Sequence, residues 1–159
     1  MLGEITTKII TTNYDQSLEE ANPNFQKIDQ LHEFDLATLD GLENYIFKLH
    51  GCISNVSSCV LFKADYDDLY NQNTAAIERL KSIITDQTII FLGFSLSDPF
   101  VKMQFEYINK VYKGLGKTHY FVTTSDNNEL KDYGVSPIKL DNWSDIPIFL
   151  EMLKKKINY

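Results

Sequence analysis

Apolar and β-branched residues occur in short runs along the chain, and each strong run ends at an abrupt change to polar or small residues. Strong runs at 8–12, 45–51 and 88–93 predict strands, and weaker runs at 25–28, 59–63, 118–123 and 137–140 predict further ones. The run at 88–93 is almost continuously apolar, which is typical of a strand buried on both faces of a parallel sheet.

Helical patterns separate several of these strands. Apolar residues at three- and four-residue steps predict an amphipathic helix over 74–84. Asp98 followed by Pro99 predicts the start of a second helix, and a third is predicted over 146–156. Strands that alternate with helices indicate an α/β, Rossmann-like fold in which helices flank a mostly parallel sheet. We expect residues 1–159 to form a single domain.

The composition is that of an ordinary soluble domain, with 43% apolar and 23% charged residues and a formal net charge of −7. This acidic balance argues against nucleic acid as a partner, because phosphate neutralisation needs clustered Lys and Arg. The first residues lack the pattern of a signal peptide, and no apolar run reaches the roughly 20 residues that a membrane span needs. We therefore expect a cytoplasmic protein without a membrane partner.

The two cysteines, Cys52 and Cys59, are separated by six residues. A structural zinc site needs four ligands, and no nearby histidine completes such a set. We expect two free thiols and no zinc or other metal.

Polar or small residues follow the three strong strands, at the carboxyl ends where open α/β sheets bind ligands. Asn13 and Asp15 follow the first strand, His50 the second, and Gly93-Phe94-Ser95 the third. We hypothesise that the three ends converge on one pocket. Asn13 and Asp15 are also common turn residues, and His50 is either a general base or a turn histidine bonded to the backbone. Gly93-Phe94-Ser95 is a candidate phosphate or ribose cradle with a single glycine.

The other titratable candidates have weaker contexts. Asp126 follows a predicted strand by two residues, so it is either an acceptor for ribose hydroxyls or an Asx-turn residue. For His32 and His119 we favour structural or surface roles.

The order of these motifs is more specific than any one of them. Thr11-Thr12-Asn13-Tyr14-Asp15, then Lys48-Leu49-His50-Gly51, then Gly93-Phe94-Ser95 with Asp98-Pro99 closely resembles the sirtuin-like family. The resemblance is nearer to the bacterial defence branch of NAD hydrolases than to the protein deacylases, and it covers about residues 8–140.

The resemblance implies an NAD site. Asn13 would position the nicotinamide ribose or the attacking water, and His50 would be the catalytic histidine that acts on the ribose hydroxyls. Asp15 would lie near the nicotinamide carboxamide, while Gly93 and Ser95 would make contacts on the adenosine side. The remaining residues expected to bind the cofactor are Thr12, Gly51 and Asp126.

Two features depart from the family pattern. The deacylases carry a four-cysteine zinc module after the catalytic histidine, so its absence disfavours deacylation. The family also begins with a strand and a Gly-Ala-Gly-type loop that binds the NAD pyrophosphate, and residues 1–7 do not supply it. We therefore expect an N-terminally truncated domain that lacks the family's first strand. A homo-oligomer, or a missing partner segment, is then expected to cover the exposed sheet edge.

Two functional hypotheses follow. In the first, the chain binds NAD or ADP-ribose and cleaves the nicotinamide–ribose bond of NAD as a hydrolase in antiviral defence. In the second, it is a non-catalytic nucleotide-binding or oligomerisation module with the same fold. Turnover of NAD distinguishes them.

Overall fold

A computed structural model of the protein describes residues 2–72, 74–94, 98–125 and 128–157. Helices alternate with strands, and every ladder between the described strands is parallel. The predicted α/β, Rossmann-like fold class is thus confirmed. The chain divides into two compact units, Met1–Arg79 with Leu153–Tyr159 and Leu80–Met152.

The first unit contains a three-stranded sheet with the order β1-β3-β2. Its strands are β1 (Lys8–Thr11), β2 (Gln26–Asp29) and β3 (Tyr45–Lys48). Both outer strands pair in parallel with β3, whose four residues are all buried. Because the three strands run in the same direction, their carboxyl ends lie at one edge of the sheet.

The helices of this unit are short until α4. They are α1 (Ser17–Ala21), α2 (Glu33–Ala37), α3 (Lys63–Asn71) and the start of α4 (Ala75–Asp86). The strand predicted over 59–63 is wrong, since α3 begins at Lys63. The carboxylate of Asp65 accepts the backbone N–H groups of Leu61 and Phe62 at 2.9 and 2.8 Å, which lowers the pKa of Asp65. These donors therefore cap a helix instead of joining a sheet ladder.

The second unit contains another three-stranded parallel sheet, with the order β4-β5-β6. Its elements are β4 (Ile90–Phe91), α5 (Pro99–Val111), β5 (His119–Thr123), β6 (Val135–Lys139) and most of α6 (Ile146–Ile157). Asp98 caps α5 as predicted, by accepting the N–H groups of Phe100 and Val101. No helix within the described ranges is long and apolar enough to cross a membrane.

His119 is a buried histidine in the core of the second unit. Its Nδ1 accepts the N–H of Ile89 at 3.2 Å, and the Phe105 ring meets the imidazole edge to face at 5.0 Å. Burial lowers the pKa of His119 from 6.5 to about 4. His119 is therefore neutral at pH 7 and has the structural role expected from the sequence.

This pKa predicts an acid-sensitive core. The unfolded chain binds a proton at His119 at a higher pH than the folded chain does, so stability falls as the pH drops from 6.5 towards about 4. We expect His119 to contribute up to about 3 kcal/mol to that fall. Urea unfolding at several pH values should show a smaller acid loss in His119→Asn, whose Oδ1 can still accept from Ile89. Equal acid losses in both proteins would contradict the prediction.

Candidate functional site

The segment after β1 forms the first part of the site. Backbone pairing continues to Thr11, whose carbonyl accepts the N–H of Leu49 at 2.9 Å. The N–H of Asn13 then donates to Thr11 Oγ1 at 3.1 Å, which turns the chain out of the sheet. Thr12 is half-buried there, whereas Asn13 is exposed at the carboxyl edge, where a ligand can reach its amide.

Asp15 is an exposed carboxylate that begins the turn into α1. Its Oδ1 accepts the N–H of Ser17 at 2.9 Å. Hydrogen bonds from Ser17, first from its hydroxyl and then from its backbone, lower the pKa of Asp15. This carboxylate is therefore ionised at neutral pH, and it adds a negative charge to the exposed segment two positions after Asn13.

His50 follows β3 and is buried, with only 3% of its surface exposed. Its Nε2 lies 2.7 Å from the hydroxyl of Tyr70. The rings of Tyr66 and Tyr70 meet the imidazole edge to face, with centroids 5.2 and 5.9 Å away. The sequence pattern alone does not assign Tyr70 to the site, although its four-residue spacing from Tyr66 places both rings on one face of α3.

Backbone contacts hold the segments after β1 and β3 together. The carbonyl of Tyr14 accepts the N–H of Ile53 at 2.9 Å, and the Tyr14 hydroxyl donates to the carbonyl of Val60. Val60 in turn donates its N–H to the carbonyl of His50 at 3.0 Å. The structure therefore brings the Asn13–Asp15 segment and His50 to the same sheet edge, as predicted for the first two strand ends.

Lys48 is a second residue of this edge whose role the sequence pattern does not predict. Its side chain is fully buried, its Nζ donates to the backbone carbonyl of Asp15, and it lies 3.3 Å from Glu19 Oε1. Within the described residues, the two buried oxygens of Glu19 accept no hydrogen bond, so this ion pair is their neutralising contact. Lys48 thus ties the Asn13–Asp15 segment to the central strand.

Gly51 has a structural requirement for glycine. Its φ is +87°, a region that other residues rarely adopt, and its N–H donates to the carbonyl of Lys48 at 3.0 Å. A Cβ at this position would overlap the backbone carbonyl of Ser58. The tight turn directly after His50 is therefore available only to glycine.

The other predicted site residues belong to the second unit. Gly93 has a φ of +64°, and no atom of the described residues lies within 4 Å of the place where a Cβ would be. Ser95 and Asp126 lie outside the described residues. The convergence of Gly93 with His50 in one pocket stays a prediction.

The cysteines are free thiols, Cys52 buried and Cys59 partly so. Cys52 Sγ contacts the hydroxyl of Ser54 at 3.2 Å, and burial raises the pKa of Cys59. Across the described ranges, no group of three or more His, Cys, Asp or Glu side chains could hold a metal ion.

Open parallel α/β sheets bind ligands at the carboxyl ends of their strands, and the sheet of the first unit carries Asn13 and His50 at that edge. The chain belongs to the SIR2-like domain family, whose match covers residues 7–138. The predicted resemblance to the sirtuin-like family is confirmed.

Individual relatives place the chain within this family. It is 28% identical to the NAD(+) hydrolase ThsA of Enterococcus faecium and 23% identical to that of Bacillus cereus (strain MSX-D12), over 92% of this chain in each case. It is also 31% identical to the defense-associated sirtuin 2 of Bacillus subtilis over 73% of this chain. These matches cover 37%, 36% and 12% of the respective relatives, so the chain spans only a minor part of their length.

Proposed function

We propose that this chain is the NAD-cleaving domain of an NAD hydrolase and that it acts in antiviral defence. The observation that carries the proposal is the placement of the buried His50 and the exposed Asn13 and Asp15 at one sheet edge. Relatives named NAD(+) hydrolase, which match over 92% of this chain, support the same reaction.

The proposed reaction is hydrolysis at C1′ of the nicotinamide ribose. The bond between C1′ and the nicotinamide nitrogen breaks, and its electron pair leaves with nicotinamide. Water adds to the oxocarbenium-like carbon and loses one proton, so that NAD⁺ and water give nicotinamide, ADP-ribose and H⁺. No redox step is needed.

Each residue at the edge has a proposed role in this reaction. His50 acts as the base that takes a proton from water or polarises a ribose hydroxyl, because histidine is the side chain that most often serves as a general base. Asn13 orients the water or the ribose through its amide. Asp15, which is ionised, accepts a hydrogen bond from the nicotinamide carboxamide and offsets the positive charge that develops at C1′.

The remaining contacts with NAD are assigned to two groups of residues. Backbone and hydroxyl groups of Thr12 and Gly51 are proposed to lie on the nicotinamide side. Gly93, Ser95 and Asp126 are proposed to bind the adenosine part. We also propose a cytoplasmic location and an assembly, by self-association or with a partner segment, that completes the sheet.

The test is NAD turnover by the purified chain, followed by chromatographic separation of nicotinamide and ADP-ribose. We expect His50→Ala to lower kcat at least about 100-fold, the usual size of a general-base contribution. His32→Gln is the matched control, because His32 is half-exposed and glutamine can still bond to Asp29. Undiminished turnover in His50→Ala would remove His50 from the mechanism.

Calorimetry with NAD and ADP-ribose tests the alternative of a non-catalytic module. Binding of either nucleotide without turnover by the unmodified chain would favour that alternative over hydrolysis. Turnover that depends on His50 would exclude it.

A further inference from the structure

Asp29 is a fully buried residue at the sheet edge that carries the proposed site, with 0% of its surface exposed. It is the last residue of β2, and it lies opposite Lys48, the last residue of β3. Asp29 is therefore at the same edge as the turn that contains His50. A buried carboxyl group is costly unless hydrogen bonds compensate it, so its contacts indicate what it holds in place.

The two carboxylate oxygens of Asp29 have different kinds of contact. Oδ1 accepts the N–H of Leu31 at 3.1 Å and lies 2.9 Å from Nδ1 of His32, so it serves the turn directly after β2. Oδ2 accepts the side-chain amide of Asn55 at 3.1 Å, across 26 positions of the chain. The second oxygen thus connects the end of β2 to the loop that follows His50.

Asn55 is the centre of that loop, which covers residues 52–58. Its backbone N–H donates to the carbonyl of Cys52 at 2.8 Å, and its carbonyl accepts the N–H and the hydroxyl of Ser58 at 2.9 and 2.7 Å. The side-chain amide of Gln30 donates to the carbonyl of Ser58 at 3.1 Å. Asp29 and Gln30 therefore hold the loop at two points, Asn55 and Ser58.

The loop contacts the backbone on both sides of the His50 side chain. Val60, just after the loop, donates its N–H to the carbonyl of His50 at 3.0 Å. The carbonyl of Ser58 lies against Gly51, at the place where any other residue would carry a Cβ. A displaced loop would therefore displace the turn that carries His50. Misplacing a reacting group by about 1 Å can cost about 100-fold in rate.

We propose that Asp29 is a positioning residue for the proposed reaction, because its bond to Asn55 fixes the loop that sets the backbone of His50. Asp29 acts through Asn55 and Ser58, not by contact with NAD. This role rests on the proposed function, since it requires that His50 takes part in the cleavage of NAD. An Asp29 that served stability alone would instead affect the whole first unit equally.

The first test is amide hydrogen exchange without NAD, with Asn55→Ala as the variant that removes the donor. We expect the N–H of Val60 to exchange about 10-fold faster, since a hydrogen bond to a buried acceptor has about that effect on an opening equilibrium. The N–H of Leu49 is the internal reference, because it bonds to the carbonyl of Thr11 on β1. An unchanged Val60, or equal acceleration of Val60 and Leu49, would overturn the proposal.

An exchange of the two side chains tests the bond itself. In Asp29→Asn, the amide cannot accept from both Leu31 and Asn55 without facing one of them with its own N–H groups. In Asp29→Asn with Asn55→Asp, the amide at position 29 can donate to the carboxylate at position 55. We expect the single variant to exchange about 10-fold faster at Val60 and the double variant to return to within about threefold of the original protein. A folded double variant without this recovery would overturn the proposal.

Asn71→Ala is the matched control for Asn55→Ala. The Asn71 amide donates to the carboxylate of Asp67 at the same distance, 3.1 Å, but this pair is exposed on α3. We expect Asn71→Ala to leave the exchange of Val60 and the turnover of NAD unchanged. Effects as large as those of Asn55→Ala would contradict a specific role of the bond to Asp29.

Kinetics then separate positioning from binding. We expect Asn55→Ala to lower kcat by about 10- to 100-fold and to change KM by less than about twofold. A change confined to KM would overturn the positioning role, as would an unchanged kcat. Because hydrogen exchange needs no NAD, a chain without turnover would refute the proposed function, while the exchange rates would still decide whether Asp29 holds the loop.

Discussion

Replacement of Lys48 by methionine is expected to lower the free energy of unfolding by about 3–5 kcal/mol. The side chain of Lys48 is fully buried, and it is the neutralising contact of a Glu19 carboxylate whose side chain is 14% exposed. Removing one partner of such a pair leaves a buried charge without compensation. Because a domain of this size has a total stability of roughly 5–15 kcal/mol, the loss is a large part of it.

A second substitution separates the charge from the packing. In Lys48→Met with Glu19→Leu, both charges are gone and apolar side chains fill similar volumes. We expect this double variant to unfold within about 2 kcal/mol of the original protein, because apolar replacement of a whole buried pair is often neutral or stabilising. Denaturant unfolding of the three proteins provides the measurement. A double variant as unstable as the single one would show that the ion pair is not the cause.

In the double variant, we expect the rate of NAD cleavage to stay low even though the free energy of unfolding is restored. The Nζ of Lys48 also donates to the backbone carbonyl of Asp15, and methionine cannot replace that bond. We therefore expect the double variant to fold well and still cleave NAD more slowly, because the Asn13–Asp15 segment has lost its tie to β3.

Lys110 offers the matched control for the same change. It forms a 2.6 Å ion pair with Glu106 on the surface of α5, with 72% of the lysine side chain exposed. Lys110→Met should leave the free energy of unfolding nearly unchanged, as expected for an exposed pair four residues apart on a helix. A cost similar to that of Lys48→Met would contradict the argument from burial.

The features that the sequence predicted are those determined by local pattern. The strands around Ile9 and Phe47 follow from short apolar runs, and the start of α5 follows from Asp98 and Pro99. The place of His50 at a strand end follows from the polarity change after Leu49. Such signals need only a few neighbouring residues, so they can be read without a structure.

The features that it missed depend on distant contacts. A single lysine in an apolar strand is usually solvated, and Lys48 is buried only because the fold brings it to Glu19 and to Asp15, which is 33 positions away. The bond between His50 and Tyr70 also joins residues far apart in sequence. The prediction of a strand over 59–63 is wrong because the Asp65 carboxylate accepts the backbone N–H groups of Leu61 and Phe62. The spacing of apolar residues does not reveal this bonding.

Gly51→Ala is expected to destabilise the protein by about 2–5 kcal/mol. The left-handed conformation alone costs about 1–2 kcal/mol for a residue with a Cβ, and displacing packed backbone costs a further 1–3 kcal/mol or so. The displaced group would be Ser58, because the new Cβ would overlap its carbonyl and lie 2.7 Å from its Oγ.

Displacing Ser58 is costly, because the residue is buried and each of its polar atoms forms a hydrogen bond. Its carbonyl accepts the Gln30 amide at 3.1 Å, its hydroxyl accepts the N–H of Cys52 at 3.1 Å, and its own N–H donates to Asn55 at 2.9 Å. Moving the residue would break several of these bonds at once. The strain would also reach His50, which directly precedes Gly51.

Gly114→Ala separates the two parts of this cost. Gly114 has a φ of +74°, close to that of Gly51, and no atom in the described part of the chain lies within 4 Å of the position of its added Cβ. Gly114→Ala should therefore lower the free energy of unfolding by the cost of the left-handed conformation alone, about 1–2 kcal/mol. Thermal or denaturant unfolding of both variants measures the difference, which isolates the overlap with Ser58. Equal losses of unfolding free energy at the two positions would contradict the argument from overlap with Ser58. Glycine would then be required at position 51 for its left-handed backbone conformation alone.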